Sequence, residues 1–264
     1  MDAKDLKTIV GSDNYPKKPR KNPYTFRNMV IGGCVVLITI TIIILIFKRS
    51  KIDISQWPSY SFPNICSISV PPTMEIRNDN SLTGQFYDAA YNSNIFQMMC
   101  DECDLFYEKS KVIFQPKGLN SNDVQKILEA NSTYARIIID FSYNEGLGQN
   151  DIKSMTRADL KEYDQIVGPK YKYDYECMSN FTNTEAKLIW HPVKKMNING
   201  IYCLALEYDR NGIQGMVKVK KYIFLYDGKE IDVTMSYREC DKEKYKKDFE
   251  EAIESFEINN GFII

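Results

Sequence analysis

The chain has 264 residues and a formal net charge of −1, but its charge is unevenly distributed. Residues 1–51 hold ten Lys and Arg against three Asp and Glu, which leaves 24 basic and 32 acidic residues, a net charge of −8, for residues 52–264. Because contacts with nucleic-acid phosphates need clustered Lys and Arg, this balance argues against nucleic acid as a partner.

Residues 29–47 form a run of 19 residues without a charge. As a helix this run spans about 28 Å, which is close to the roughly 30 Å hydrocarbon core of a bilayer. A buried core helix would rarely be apolar on every face over this length, and a cleaved signal peptide would be shorter and would end in small residues rather than in Lys48 and Arg49. We therefore predict an uncleaved signal anchor that forms a single transmembrane helix, with the lipid bilayer as its partner.

Basic residues on the two sides of this span predict its orientation. Residues 1–28 hold seven Lys and Arg, whereas three follow the span directly, so the positive-inside rule places the N-terminus in the cytoplasm. The sequence thus predicts a single-pass protein of the cell membrane with a disordered, basic cytoplasmic tail at 1–28. It further predicts a juxtamembrane linker at 48–63, an extracytoplasmic domain at 64–258 and a C-terminal tail at 259–264.

The first part of the extracytoplasmic region is rich in β-forming residues. In the linker, Trp57 and Tyr60 suit positions near the lipid headgroups. Three β-branched and aromatic runs bounded by Pro, Gly or Asn then predict strands at 65–70, 110–115 and 135–142.

Two amphipathic segments of the chain predict helices. Residues 120–132 have apolar side chains at helical spacing after an Asn and Ser start, which is typical of a short helix. Residues 150–170 place apolar side chains along one side of a second helix, and Gly168 followed by Pro169 predicts its C-terminal end.

The C-terminal third contains the clearest periodicities. Residues 200–209 are apolar on both faces, as in a central strand. Residues 218–238 predict a hairpin with Asp227 and Gly228 in a type I′ turn, and its second strand alternates to give one buried and one solvent-facing side. Residues 241–258 space aromatic and apolar side chains for a helix that packs across a sheet.

Together these elements predict an α+β fold, a mostly antiparallel β-sheet flanked by helices in an α-β-α sandwich, after the single N-terminal transmembrane helix. Their order over residues 65–258, with the segments "ISVPPTMEIR", "VIFQPKGLN", "YARIIIDFS" and "NGIYCLALEYD", resembles the PsbP/Mog1-like α-β-α sandwich. It is also similar to uncharacterised membrane-anchored proteins of gut Bacteroides-type bacteria. The resemblance implies a non-enzymatic binding or assembly-assisting role. The anchor is not part of that family pattern, so the resemblance implies no particular partner.

Two local patterns predict surface positions. Lys218, Lys220 and Lys221 lie in the basic run "MVKVKKY", which we interpret as a solvated strand face. Asn131 and Asn180 begin glycosylation sequons, which have meaning only if the host glycosylates secreted chains.

His191, in "KLIWHPV", is the single histidine of the chain, so a catalytic dyad or a histidine-based metal site has to use it. Alternation of the side chains around it in a predicted strand makes a hydrogen-bonded or exposed histidine at a strand end the simpler interpretation. A hydrolase of the Cys–His type would need an activated thiol beside it.

Seven cysteines are present, and Cys34 lies within the predicted span. The other six permit up to three disulfides in an oxidising compartment, although Cys66 and Cys203, in predicted strands, equally suit buried thiols. Cys100 and Cys103 have the C-x-x-C spacing of redox motifs, but the carboxylates around them favour raised thiol pKa values. We interpret them as a disulfide or redox pair. Because no second pair accompanies them, we expect no metal site, and no motif indicates a cofactor.

Two functional hypotheses remain. The first is a membrane-tethered binding or assembly module for an unknown envelope protein, favoured by the anchor, the resemblance and the lack of a recognisable catalytic motif. The second is an envelope enzyme, either a hydrolase or a thiol oxidoreductase, that uses His191 or the pair Cys100 and Cys103.

Overall fold

The computed structural model of the protein describes residues 52–78, 112–144, 146, 148–182, 186–212 and 214–259. The predicted membrane span and the pair Cys100 and Cys103 lie outside these residues. Within the described ranges, no helix has both the length and the apolar character needed to cross a bilayer.

The described residues form ten strands and four α-helices. The strands are β1 (Ser59–Phe62), β2 (Cys66–Ser69), β3 (Met74–Ile76), β4 (Val112–Pro116), β5 (Ala135–Tyr143), β6 (Leu188–Ile198), β7 (Ile201–Gly212), β8 (Gly215–Tyr226), β9 (Lys229–Arg238) and β10 (Glu257–Ile258). The helices are α1 (Val124–Asn131), α2 (Gln149–Ser154), α3 (Arg157–Thr182) and α4 (Lys242–Glu254).

The strands form a large and a small antiparallel sheet. The large sheet has seven strands in the order β3-β4-β5-β9-β8-β7-β6, and the small sheet has the order β1-β2-β10. Each strand pairing in the described residues is antiparallel. The predicted α+β class with a mostly antiparallel sheet is therefore confirmed.

Two tight turns fix the register of the long strands. Asp227 and Gly228 have φ angles of 51° and 68°, as a type I′ turn requires, and they connect β8 to β9 as predicted. Asn199 and Gly200, with φ angles of 50° and 85°, connect β6 to β7 in the same way. We did not predict this second hairpin, although Asn-Gly is a strong turn signal.

Both faces of the large sheet carry a hydrophobic core. We name them the α4 face and the α3 face after the helices that cover them. On the α4 face, Cys203 and Ala205 of β7 belong to the larger cluster, together with side chains of α4 and of the small sheet. On the α3 face, Leu204 and Leu206 of β7 pack against α2, α3 and their connection. Burial of both faces explains why β7 is apolar on both sides.

The helical region after β5 differs from the prediction of one helix that ends at Gly168. It divides into α2 and α3, because Thr156 and Asp159 form a capping box: the Asp159 carboxylate accepts from Thr156 N at 2.7 Å, and the Thr156 hydroxyl accepts from Asp159 N at 3.4 Å. α3 then continues through Pro169 to Thr182. Packing of Tyr171, beyond the proline, on the α3 face favours this continuation.

Gly168 serves helix packing rather than helix termination. A Cβ atom at this position would lie 3.0 Å from the indole of Trp190 on β6. The absent side chain therefore lets the indole approach the backbone of α3 closely.

The predicted linker contains residues of the folded domain. β1 pairs with β2, with Tyr60 opposite Ile68, and the ring of Tyr60 lies 4.8 Å from that of Phe114. Trp57 also packs against the core of the α4 face. The compact unit thus begins at Ile52, and the two aromatic residues contribute to the protein core.

The second strand of the β8–β9 hairpin alternates between buried and half-buried positions, except that Ser236, which was predicted on the solvent-facing side, is buried. Lys221 was likewise predicted to be solvated, but its side chain is only 11% exposed. Its ammonium lies 2.5 Å from the carboxylate of Asp232 on the α3 face. Burial raises the pKa of Asp232 to about 6, with Lys221 acting in the opposite direction.

β6 is an edge strand of the large sheet. Its pairing with β7 is interrupted by a register shift between His191 and Lys194, and Pro192 lies exposed within that irregular part. On the α3 side, Asp164 of α3 accepts hydrogen bonds from the indole of Trp190 at 2.7 Å and from Val193 N at 3.1 Å. This carboxylate connects the edge strand to the helix.

We predict that Asp164→Ala lowers the free energy of unfolding by about 3 kcal/mol, because two partly buried donors lose their acceptor. Urea unfolding of the variant and of wild type measures the difference. Glu162→Ala, at an exposed position on the same helix, is the control and should change stability by less than about 0.5 kcal/mol. Equal effects of the two changes would contradict the role given to Asp164.

We also predict that Asp232 makes stability depend on pH. Its pKa in the folded protein, about 6, lies above its ordinary 3.8, so the protonated form favours folding. The stabilisation that protonated Asp232 gives the folded protein is fully present below about pH 3.8 and is lost as the pH rises through about 6. Between these values the unfolding free energy of wild type should fall relative to that of Asp232→Asn. Urea titrations across this range measure it, with the exposed turn variant Asp227→Asn as control; parallel curves for wild type and Asp232→Asn would disprove the prediction.

Candidate functional site

A groove of about 330 Å³ lies between α4 and the α4 face of the large sheet. Its lining contains charged side chains of β6, β7 and β8, apolar and aromatic side chains of β8 and β9, and one side of α4. The lining residues are His191, Glu207, Asp209, Lys218, Val219, Lys220, Tyr222, Met235, Tyr237, Lys246, Phe249 and Glu250. The volume falls within the range of small-ligand sites, roughly 300–1,000 Å³.

The register of β7 against β8 positions the charges of the groove. Glu207 lies opposite Lys220, and Asp209 lies opposite Lys218. Glu207 and Asp209 lie two and four residues after Ala205, and Lys218 and Lys220 lie four and two residues before Tyr222, which is opposite Ala205. Because side chains alternate along a strand, all four point to the α4 face, as Ala205 and Tyr222 do. Acidic residues at i and i+2 of one strand thus meet lysines at i and i+2 of the next.

Glu207 is the centre of the first row of charges. One of its carboxylate oxygens lies 3.0 Å from the ammonium of Lys220, and the other lies 3.0 Å from that of Lys194 on β6. Each oxygen therefore has its own cation. The row runs across three adjacent strands.

Asp209 is the centre of the second row. Its Oδ2 atom lies 2.5 Å from the ammonium of Lys218 and 3.6 Å from Nε2 of His191. Lys218 also contacts the carboxylate of Glu239 at 3.4 Å. His191 is partly exposed, at 41%, as predicted, and lies beside a carboxylate. It is not at a strand end, however, because β6 continues to Ile198.

The pKa shifts in the groove favour the ionised forms. Burial alone would raise the pKa of Glu207, but hydrogen bonds from Lys220 and Lys194 hold it below its ordinary value. The hydrogen bond to Asp209 is the main cause of the raised pKa of Lys218. Burial opposes the charge on Lys220, yet Tyr222 and Glu207 raise its pKa. These side chains therefore remain ionised across the neutral range.

The base of the groove is apolar. Tyr222, Met235 and Phe249 are each at most 3% exposed and belong to the core cluster of the α4 face. The ammonium of Lys220 lies 5.2 Å from the centre of the Tyr222 ring, which adds a cation–π contact. Charged groups thus surround an apolar base.

No Ser, Thr or Cys is among the described residues that line the groove, so the structure places no hydroxyl or thiol nucleophile of these types beside His191. Cys203 lies further along the same face of β7 and is fully buried, and burial raises the pKa of its thiol to about 12. A thiol with this pKa is a poor nucleophile at neutral pH.

The cysteines that the structure describes are free thiols. Cys66 and Cys203 are buried, Cys177 is half-buried and Cys240 is exposed. Burial raises the pKa of Cys66 to about 12 as well. Within the described ranges, no group of three or more His, Cys, Asp or Glu side chains is arranged to hold a metal ion.

The groove itself was not predicted from the sequence. Lys218 and Lys220 were assigned to a solvated strand face, and the carboxylates of Glu207 and Asp209 were not singled out. The usable signal was the pair of i, i+2 patterns, acidic in "LEYD" and basic in "VKVK", on two strands joined by a short connection.

Of the predicted sequons, Asn131 is exposed at the end of α1, whereas Asn180 falls within α3.

No family model and no curated protein matches the chain. Similar solved structures include the cyanobacterial PsbP (CyanoP) of Synechocystis sp. PCC 6803, with 13% identity and a TM-score of 0.43 over 76% of this chain and 91% of that chain. A Bacteroides thetaiotaomicron VPI-5482 protein has 10% identity and a TM-score of 0.40 over 78% of this chain and 50% of that chain. A Pseudomonas aeruginosa protein of unknown function has 14% identity and a TM-score of 0.33 over 58% of this chain and 85% of that chain. A PsbP and a Bacteroides protein are thus among these structures, but similarity at this level assigns the chain no activity or partner. The likeness to membrane-anchored proteins of Bacteroides-type bacteria stays a prediction.

We predict that alkylation with iodoacetamide distinguishes the four described thiols. Native protein at mildly alkaline pH should be labelled at Cys240 and protected at Cys66 and Cys203, because burial both blocks access and disfavours the thiolate. Peptide mapping by mass spectrometry with and without urea measures each site, and urea should make all of them reactive. Labelling of native Cys203 as fast as that of Cys240 would contradict the prediction.

Proposed function

We propose that the chain is a single-pass membrane-anchored binding module whose extracytoplasmic domain holds a partner polypeptide noncovalently in the groove. The uncharged run at 29–47 supports the anchor, and the excess of basic residues before it supports a cytoplasmic N-terminus. Residues 52–264 would then meet their partner outside the membrane. The partner would be another protein of the cell envelope.

The observation that supports binding is the direction of the pKa shifts in the groove. A general acid or base works best when its pKa lies near the working pH. Here the pKa of Glu207 is lowered and those of Lys218 and Lys220 are raised, which moves all three away from neutrality. Fixed charges around an apolar base suit recognition of a complementary surface better than proton transfer.

The groove also has the layout of a small interface. The centre, formed by Tyr222, Met235 and Phe249, is apolar and buried, while the charged rows surround it. Interfaces commonly combine a desolvated centre with a polar rim. A partner side chain inserted at the centre would gain burial, and the charged rows would define its orientation.

We predict that a partner crosslinked to the native protein in cells is lost when lysines of the groove are neutralised. The test variant is Lys220→Gln with Lys246→Gln, and the matched control is Lys161→Gln with Lys172→Gln on the exposed side of α3. After crosslinking and affinity capture, quantitative mass spectrometry should show at least about a tenfold loss for the test variant, as expected for more than 1.4 kcal/mol of binding free energy. The control variant should retain the partner.

A second control keeps residues 1–51 and carries an unrelated extracytoplasmic domain. It should not capture the partner that the native chain captures. Unfolding curves of both double variants establish that they remain folded. A partner that both double variants retain equally would exclude the groove as its binding site. His191→Ala tests the enzymatic alternative, because loss of a catalytic activity with the fold intact would favour the envelope enzyme.

A further inference from the structure

We infer that three arginines gathered around Tyr134 form a binding site for a phosphate group, on the opposite side of the large sheet from the groove. Arg136 lies on β5, Arg210 on β7 and Arg238 on β9. We name these three residues the arginine cluster. None of them lines the groove, so the inference is independent of the proposed function.

The strand register brings the arginine cluster together. Arg210 of β7 lies opposite Val217 of β8, which in turn lies opposite Arg238 of β9. The backbone N–H of Arg238 donates to the carbonyl oxygen of Tyr134 at 3.2 Å, directly before β5. Arg136 follows two residues later, so residues distant in sequence meet at one end of the sheet.

The side chains of the cluster point to the α3 face. Arg238 lies six residues after Asp232, whose carboxylate is on that face, and Arg210 is in the same cross-strand row as Arg238. Arg136 lies opposite Ser236, two residues before Arg238. Because side chains alternate along a strand and share a face across a row, all three arginines lie on the same side of the sheet.

Tyr134 holds the three guanidinium groups close to one another. The Cζ atoms of Arg136 and Arg238 lie 5.2 and 5.8 Å from the centre of the Tyr134 ring, which is within the range of cation–π contacts. Nη2 of Arg210 donates to the Tyr134 hydroxyl at 3.3 Å. Three like charges thus surround a single aromatic side chain.

No carboxylate among the described residues forms an ion pair with the arginine cluster. Asp209 precedes Arg210 in the sequence but contacts Lys218 on the α4 face. Glu239 follows Arg238 and contacts the same lysine. The three guanidinium groups are half-buried, so they lose part of their hydration, and they repel one another. An anion bound among them would reduce that repulsion and replace the lost hydration.

The charge of the cluster matches that of a phosphate group. Asp241 is close to the cluster, because its carboxylate accepts from Tyr134 N at 2.9 Å. When Asp241 is counted against the three arginines, an excess of two positive charges remains. A phosphate monoester carries about −1.5 to −2 charges at neutral pH, whereas a carboxylate carries only one.

The donors of the cluster also suit phosphate. Each guanidinium group has five N–H donors, and hydrogen bonds to the chain use one in Arg136, one in Arg238 and two in Arg210. The remaining donors are arranged in forks that fit the oxygens of a phosphate group. A tetrahedral phosphate group can accept from several guanidinium groups at once, which a planar carboxylate does less well.

The test is equilibrium dialysis of radiolabelled inorganic phosphate against the full chain in micelles of an uncharged detergent, at about pH 7.5 and constant ionic strength. We expect saturable binding of one phosphate per chain. Arg136→Gln with Arg238→Gln should weaken binding at least about tenfold. The matched control, Arg157→Gln with Lys161→Gln, removes the same charge at exposed positions of α3 and should bind as wild type does.

Two further variants make the test specific. Arg136→Lys with Arg238→Lys keeps the charge but removes the forked donors, and it should also weaken binding, because a site differs in this way from general attraction to a basic surface. Arg210→Gln, a single change, should weaken binding at least about threefold and covers the case in which a double variant does not fold. Unfolding curves establish which variants are folded.

The inference would be overturned if the native chain showed no saturable binding, or if the folded cluster variants bound phosphate as well as the control does. Equal competition by acetate at the same ionic strength would also overturn it, because the site would then select charge alone. A negative result would leave the groove and the proposed function unaffected.

Phosphatidic acid mixed into the micelles distinguishes two sources of the phosphate group. If it displaces the labelled phosphate and phosphatidylcholine does not, the site accepts the headgroup of a lipid. If neither lipid displaces it, the site takes free phosphate or a small phosphate ester. Both results support a phosphate site at the arginine cluster.

Discussion

The register of β7 against β8 is the constraint on which the rest of the domain depends. Side chains alternate with a period of two along both strands, so a slip of one residue would exchange the two faces of the sheet. Leu204 and Leu206 would then point into the groove, and Glu207 and Asp209 would lie beneath α3. The observed register places apolar side chains in both cores and also pairs the charges of both rows. One pairing therefore determines the packing of the sheet and the chemistry of its charged end.

Covering both faces of the sheet leaves little room for polar groups in the interior. Two of those that remain are held by specific partners: Lys221 contacts Asp232, and Asp164 accepts from both Trp190 and Val193. Buried ion pairs stabilise a fold weakly, since desolvation offsets much of the attraction, but an unpaired member is costly. These contacts thus select one arrangement of α3 on the sheet more than they add to its stability.

Several elements could be predicted because their signals are local. The Asp227–Gly228 turn, the alternation in β9 and the apolar spacing of α4 each follow from short-range patterns, and the structure confirms them. The continuation of α3 through Pro169, the burial of Lys221 and the groove depend instead on which surfaces meet in three dimensions. Trp190 contacts Gly168 from a strand 22 residues later in the sequence, so the local helix-stop signal could not reveal it. The same holds for Lys246, whose position over the sheet depends on the packing of α4.

The irregular edge strand β6 also limits how other proteins can associate with the domain. Regular edge strands offer rows of free backbone groups to which another strand can add, and Pro, bulges and lysines prevent this. β6 has all three at Pro192, at the shift between His191 and Lys194, and at Lys194 itself. Within the described residues, the opposite edge, β3, is only three residues long. Both described edges are therefore poor templates for edge-to-edge pairing of neighbouring copies, which would matter most if the proposed membrane attachment concentrated the protein in two dimensions.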